Sequence, residues 1–286
     1  MSAFSERLFV ASQYLAPHHL LSRVVGRLAA SEWAPIRRSF IGLFARRFQV
    51  NMSEAERENL SEYRNFNDFF TRALKADARP LPTDANRLIC PVDGAVSQAG
   101  AIEAGRIFQA KGRDYSLTEL LGGDADQAKT FRDGRFATLY LSPRDYHRIH
   151  MPCDAQLIRT TFVPGRLFSV NGVTAEHVPN LFARNERLVC EFNTAKGRMI
   201  LVLVGAMIVA SIETVWAGIV APAGSRIQHR HFGDAGPSFK RGDEMGRFRL
   251  GSTVIAVFEA GALEWDAAIS AGQPVRLGQP LNATNS

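Results

Sequence analysis

From Arg247 to Phe258 the chain alternates. Phe248, Leu250, Ser252, Val254, Ala256 and Phe258 fall on one side of an extended segment, and Arg247, Arg249, Gly251, Thr253, Ile255 and Val257 on the other. This pattern predicts a buried strand with one polar intruder. Ser252 points where the apolar side chains point, and a hydroxyl there needs a hydrogen-bond partner or a chemical task. Gly251 before it lacks a Cβ, so its carbonyl can be approached closely. A bare carbonyl followed by a hydroxyl is a site at which the chain can attack itself. A second pair, Gly224-Ser225, lies in the turn-like stretch Ala221-Pro222-Ala223-Gly224-Ser225-Arg226 and carries no such expectation. The buried-strand context matters, not the dipeptide.

Residues 5–50 read as amphipathic helices. Leu20, Leu21, Val24, Val25 and Leu28 form a stripe with Arg23 and Arg27 off it, and beyond Trp33 and Pro35 the residues Ile36, Phe40, Leu43, Phe44 and Phe48 gather near one face. Ser53-Glu54-Ala55-Glu56 reads as a helix start, and a further helix is expected over Asn67 to Lys75, ended by Arg79-Pro80-Leu81-Pro82. From Leu88 onward the pattern shortens to β segments: Gly94–Gln98, Phe136–Leu141, Leu188–Phe192, Met199–Val204, Ala206–Glu213 and Thr253–Phe258. The apolar run from Met199 to Ile212 is too short to cross a bilayer and reads as a strand pair broken near Gly205. With no long helical period between strands, a doubly wound parallel sheet is excluded. The expectation is an α+β fold: N-terminal amphipathic helices over residues 1–52, then a mainly antiparallel β-sandwich or barrel-sandwich-like core over residues 53–286. The turns at Arg241 to Gly246 and Leu277 to Leu281 resemble those of lipoyl-like domains.

Charge sharpens the reading of the N-terminus. Residues 1–50 hold seven Arg and two Glu, a net +5 of the chain's total of +6. A charge confined to one end argues against a nucleic-acid surface and for an anionic partner met by that end. Arg23, Arg27, Arg37, Arg38, Arg46 and Arg47, with Trp33, Phe40 and Phe44, form the expected membrane-docking set. The competing reading is a helical hairpin packed on the protein's own core. Three cysteines without a CxxC pair point to a reducing compartment and no structural zinc, and the first residues show no secretory-signal pattern.

Two further polar clusters could carry chemistry. Cys90-Pro91-Val92-Asp93-Gly94 places a carboxylate in apolar company, suited to orient a histidine. Leu141 to Pro152 holds His147 and His150, a poor metal site for want of a third ligand but suited to acid–base work. Asp93, His150 and Ser252 thus offer orienter, base and nucleophile, and triads are defined by geometry rather than chain order. The absence of G-x-S-x-G removes support for an α/β-hydrolase elbow. A serine hydrolase acting on an external ester or amide, and a non-catalytic membrane-surface module, stay open at this point.

The chain resembles the bacterial phosphatidylserine decarboxylases, pyruvoyl-dependent and membrane-associated. The likeness runs through Phe66 to Arg72, Pro91 to Gly94, Gln109 to Gly112, Tyr140 to Pro152, Phe162 to Gly165, Phe168 to Asn171, Asn180 to Arg187, Glu213 to Gly218, Lys240 to Phe248 and Leu250-Gly251-Ser252-Thr253. The resemblance implies that His150, oriented by Asp93, deprotonates Ser252, which attacks the Gly251 carbonyl. Elimination and loss of ammonia then leave a pyruvoyl group at position 252, dividing the precursor into a β chain (1–251) and an α chain (252–286). That group acts as the electron sink for converting phosphatidylserine to phosphatidylethanolamine, with no metal and no pyridoxal phosphate. The resemblance further implies a decarboxylation role for His147, a headgroup pocket lined by Tyr140, and peripheral attachment to the cytoplasmic face of the cell membrane. A homodimer is compatible with it, nucleic acid is not a partner, and a pyruvoyl decarboxylase of a soluble amino acid is the near alternative.

Overall fold

In the computed structural model, which describes residues 3–207, 211–249, 251 and 253–283, the strand expected at Thr253–Phe258 forms with those bounds. Leu250 and Ser252 lie outside the described residues. The strands in chain order are β1 (Gly94–Ala101), β2 (Arg106–Ala110), β3 (Arg113–Ser116), β4 (Arg135–Tyr140), β5 (Arg148–His150), β6 (Ala155–Val163), β7 (Arg187–Thr194), β8 (Gly197–Val204), β9 (Ile212–Thr214), β10 (Gly218–Ala221), β11 (Gln228–His231), β12 (Ser238–Phe239), β13 (Glu244–Phe248), β14 (Thr253–Phe258) and β15 (Pro274–Val275). A nine-stranded sheet runs β11-β6-β7-β8-β14-β4-β1-β15, with β12 also on β6. A four-stranded sheet runs β10-β9-β13-β5, and β2 and β3 form a hairpin. Every pairing between these strands is antiparallel. The α+β expectation holds, and the large sheet does not close into a barrel.

β14 is dry on both faces because it separates two cores. Ile255 and Val257 join Phe66, Phe70, Phe136 and Val202 on the helical side, while Val254, Ala256 and Phe258 join Ile149, Met245 and Phe248 on the side of the small sheet. The expected single strand from Arg247 does not form. β13 ends at Phe248 in the small sheet and β14 begins at Thr253 in the large one. The chain turns a corner between them at Gly251, whose φ of +45° is in the left-handed region. The bond singled out from the sequence therefore sits at a junction of sheets rather than inside a strand.

Two expected helices fail for a shared reason. The Asn51 side chain accepts from both the N–H and the hydroxyl of Ser53, a local turn that competes with a helix start. Residues 54–56 then pair with 73–75 through Glu56 N–H to Ala73 O and Lys75 N–H to Glu54 O. That pairing holds the second segment extended, and helix survives only at Phe66–Phe70, capped by the Asn65 side chain. Of the expected Ala206–Glu213 strand, β9 covers Ile212–Thr214, and residues 208–210 lie outside the described residues.

At the N-terminus, α1 (Ala3–Leu15), α2 (His18–Ala29) and α3 (Ala34–Phe48) lie against the helical-side core; Phe66–Phe70 is α4. The polarity of α2 is inverted: His18, Ser22 and Ala29 are buried, whereas Leu20, Leu21, Val24 and Leu28 are exposed. In α3 the aromatics turn inward instead. Phe40 stacks on Phe66 at 4.3 Å between centroids and Phe44 meets Phe66 edge-on at 4.9 Å, so both serve the protein's own core. This corrects their place in the membrane-docking set. Trp33 and Leu43 stay 66% and 71% exposed, and Arg23, Arg27, Arg38, Arg46 and Arg47 are exposed with Arg37 half-buried. Among the described residues no helix is long and apolar enough to cross a membrane.

Candidate active site

The site is assembled by α4 and by the turn between β4 and β5. Asp145 fixes that turn by accepting from the Ser142 N–H, and its carbonyl oxygen accepts from His147 Nδ1 at 2.8 Å. With the proton on Nδ1, the lone pair of His147 is on Nε2, which is buried and has no hydrogen-bond partner among the described residues. Nε2 lies 3.2 Å from where a Cβ on Gly251 would sit, with Phe70 Cζ 3.8 Å from the same point. The Phe70 and His147 rings are 4.0 Å apart between centroids. Glycine at 251 is thus favoured twice, by its positive φ and by the tight approach of the His147 imidazole, with Phe70 at ordinary contact distance.

Burial, followed by the Arg72 cation, pushes His147 down to about 3. It is therefore a neutral acceptor at physiological pH. Because the folded value lies below the unfolded one, the unfolded chain takes the proton first, and stability is lost as pH falls from 6.5 toward 3. In a Ser252→Ala background, lowering the pH from 7.5 to 5 is expected to cost a His147-bearing chain roughly 2 kcal/mol more than its His147→Gln counterpart. Urea midpoints at the two pH values measure this, and an equal loss in both chains refutes it.

His150 lies at the other end of β5. It pairs with Glu244, whereas the Phe248 N–H donates to the His147 carbonyl, so His147 is on the Gly251 side. His150 Nδ1 donates to Gly242 O at 2.7 Å, and the Tyr146 hydroxyl donates to Nε2 at 3.0 Å. Burial lowers its pKa, opposed by the Gly242 carbonyl and by the Glu244 and Asp93 carboxylates.

Asp93 does not make the expected hydrogen bond to His150. Arg79 grips its carboxylate through Nε at 2.9 and 3.1 Å and through Nη2, and the Leu277 N–H also donates to it. A two-pronged guanidinium contact at a buried site outcompetes an imidazole N–H, and the Gly242 carbonyl takes the orienting place instead. Asp93 still reaches His150 through its field. Tyr140, half-buried at the end of β4, is in register with Thr253, next to position 252. Ser252 itself lies outside the described residues.

Four participants carried no sequence expectation of their own: Phe70, Arg72, Arg79 and Tyr146. Arg79 is four residues beyond the expected helix end at Lys75, and only its contact with a carboxylate fourteen positions away reveals it. Tyr146 is buried, and its hydroxyl holds a histidine nitrogen. Among the described residues no group of three or more His, Cys, Asp or Glu side chains is arranged to hold a metal ion.

Fold and site together define an α+β enzyme with His147 against Gly251 where the two sheets meet and His150 at the far end of β5. Comparison with known proteins narrows this. A family model described as phosphatidylserine decarboxylase matches residues 66–283, and a second, described as PSD, matches residues 8–49. The phosphatidylserine decarboxylase proenzyme of Hahella chejuensis (strain KCTC 2396) is 56% identical over 281 residues, covering 98% of this chain and 95% of its own. That of Ectopseudomonas mendocina (strain ymp) is 55% identical over 280 residues, covering 96% and 98%. That of Bordetella pertussis (strain Tohama I / ATCC BAA-589 / NCTC 13251) is 56% identical over 281 residues, covering 97% and 95%. The chain belongs to the phosphatidylserine decarboxylase family.

Proposed function

We propose that this chain cleaves itself between Gly251 and Ser252 and then, as β and α chains, decarboxylates phosphatidylserine to phosphatidylethanolamine with a pyruvoyl group derived from Ser252. The observation that carries this reading is the buried Nε2 of His147, without a hydrogen-bond partner among the described residues and held against Gly251. The word proenzyme in the relatives' names supports processing and speaks against a hydrolase that works as one chain. The residues suit such a group: half-buried Gly251 is lined by Phe70 and by a His147 nitrogen that has no hydrogen-bond partner among the described residues. A pyruvoyl group supplies an electron sink next to the substrate amine.

The chain's own residues do the rest. In the precursor, His150 accepts the Ser252 proton, helped by the Asp93 and Glu244 carboxylates that favour its charged form. Gly242 O holds its Nδ1 proton in place. His147 presents Nε2 to the reacting carbons, and Phe70 excludes water from them. Tyr140 lines the approach to position 252.

The test is to incubate purified protein with phosphatidylserine vesicles and to measure intact mass and the lipid product together. Phosphatidylethanolamine should appear only with protein broken between 251 and 252. Full activity from an unbroken chain overturns the reading.

The substrate lies in a bilayer, and the outward apolar stripe of α2, with Trp33, Leu43 and the exposed arginines, supports docking on an anionic membrane surface. Changing Leu20, Leu21, Val24 and Leu28 together to Ser should reduce sedimentation with anionic vesicles at least about tenfold, as expected for four lost apolar insertions. The fold should be little affected, since these side chains are 40–55% exposed. Unchanged sedimentation would place the docking surface elsewhere.

A further inference from the structure

Glu186 is 6% exposed, and among the described residues its carboxyl group has neither an ion-pair nor a hydrogen-bond partner. The other buried glutamate of the chain looks different. Glu191, 2% exposed, is met by Arg159, Arg198 and the Gln127 amide. A carboxyl group buried alone is costly in its charged form and calls for a task. Burial pushes Glu186 up to about 7, so it exchanges a proton readily at physiological pH.

Two observations tie Glu186 to the reacting position. The first is register. Thr253 pairs with Val204, and Val204 with Arg187. β14 and β7 thus run in the same direction on either side of β8, and Glu186 precedes Arg187 as position 252 precedes Thr253. The residue that follows Val204 is Gly205, whose N–H donates to Glu186 O at 2.8 Å, so the intervening strand offers no side chain there. Two strand spacings put Arg187 and Thr253 about 10 Å apart, a gap that a glutamate side chain and a substrate amine can fill. Alternation places Glu186 on the face of Leu188 and Cys190, which is also the face of Val254. The second observation is a cavity of about 810 Å³ that Glu186 lines together with Gly165, Leu167, Pro222 and, from α2, His19 and Arg23. α2 is the helix whose Leu20, Leu21, Val24 and Leu28 form the outward apolar stripe. The cavity therefore joins the proposed docking helix to the Glu186 end of the sheet.

The groups of the site already described are unsuited to handle a substrate ammonium. His147 is held neutral by burial beside Arg72, His150 Nε2 accepts from Tyr146, and Asp93 is gripped by Arg79. Around Glu186 stand His18, His19 and Arg23 of α2, Arg166, whose carbonyl accepts from the Glu186 N–H, and Arg187, whose guanidinium is turned to the carbonyls of Glu119 and Leu120. None of them pairs with its carboxyl group among the described residues.

We infer that Glu186 is the catalytic acid–base for the substrate amine: it takes a proton from the phosphatidylserine ammonium and returns it to the oxygen that leaves position 252. This rests on the proposed function and deepens it, because only a neutral amine bonds to a ketone carbon. The amine nitrogen bonds to that carbon and the carbon–oxygen bond breaks. The oxygen departs as water, with one proton from Glu186 and one from the nitrogen. Glu186 ends as the carboxylate it began as, and nothing is oxidised or reduced.

The test follows capture of the product lipid, which forms the same bond without loss of CO2. Full-length wild type and Glu186→Gln are first checked by intact mass; an unbroken wild-type chain counts against the proposed function, not against Glu186. Cleaved protein is mixed with phosphatidylethanolamine vesicles and cyanoborohydride, and the lipid adduct on the 252–286 piece is timed by mass. Hydroxylamine, already neutral at pH 7, serves as the amine that needs no base. At pH 7 Glu186→Gln should capture phosphatidylethanolamine about a hundredfold more slowly than wild type, the scale of a lost general base, and hydroxylamine at the wild-type rate. Its lipid capture should recover as the pH rises toward the range where the lipid amine loses its own proton. If Glu186→Gln does not fold, lipid capture by wild type is followed from pH 5 to 9. It should level off above about 7, whereas an unassisted amine keeps gaining. The inference is overturned by equal lipid capture in the two proteins, by an equal loss with both amines, which would make Glu186 a structural residue, or by a wild-type profile that climbs without levelling.

Discussion

Ser252→Ala is expected to give one chain of 286 residues with decarboxylation at background, where wild type gives pieces of 251 and 35 residues on a denaturing gel. The effect is total because one side chain serves twice, as nucleophile and as source of the pyruvoyl group. No neighbour can replace it. Thr253 follows, but it is the first residue of β14, fully buried, with its backbone paired to Tyr140 and Val204. The same pairing predicts how the wild-type pieces behave. β14 is hydrogen-bonded along its whole length to β4 and β8, and β15 to β1, so the shorter piece supplies a central strand of the large sheet. The two pieces should co-migrate on native size exclusion and separate only under denaturant. Cleavage of Ser252→Ala at the same bond would refute the nucleophile assignment.

What the sequence disclosed followed from period and composition. β14 was legible to the residue, and β1, β4, β7 and β8 to within three, because their apolar runs are bounded by turn residues. β6 was not, since Gln156, Arg159, Thr160 and Thr161 interrupt its apolar residues; these meet partners such as Glu191 and His229 on neighbouring strands. The corner at Gly251 was hidden for the opposite reason. The alternation continues through residues 249–252 although β13 and β14 lie in different sheets, because the two strands share one core on their Phe248 and Val254 sides. The site was legible as residue types, histidines and a Gly-Ser bond. Its contacts were not, since Arg79 to Asp93 and His150 to Gly242 are choices made by the fold. The stripe on α2 was read correctly as apolar, but only the structure shows that it faces outward.

His147→Ala and His150→Ala should fail at different steps. His150→Ala is expected to leave the chain uncleaved, a loss of at least about a hundredfold in processing rate, as for removal of a general base. His147→Ala should cleave, yet the cleaved protein should decarboxylate about a hundredfold more slowly. The division follows from charge. A base must hold a proton: burial and the Arg148 cation lower the pKa of His150, but the Gly242 carbonyl and the Glu244 and Asp93 carboxylates work against that lowering. His147 is entirely buried beside Arg72, and a proton on it in the precursor is strongly opposed. It nevertheless touches Gly251, so it is placed for the chemistry that follows once the corner carries a carboxylate. Tyr146 refines the test. Its hydroxyl occupies His150 Nε2 while its ring stacks on the imidazole. Tyr146→Phe keeps the stack and frees the nitrogen, so processing should proceed at least as fast as in wild type, and a block would make Tyr146 the relay between Ser252 and His150. Uncleaved His147→Ala together with normally cleaved His150→Ala would exchange the two roles, and would mean that contact with Gly251 outweighs the surrounding charge in choosing the base.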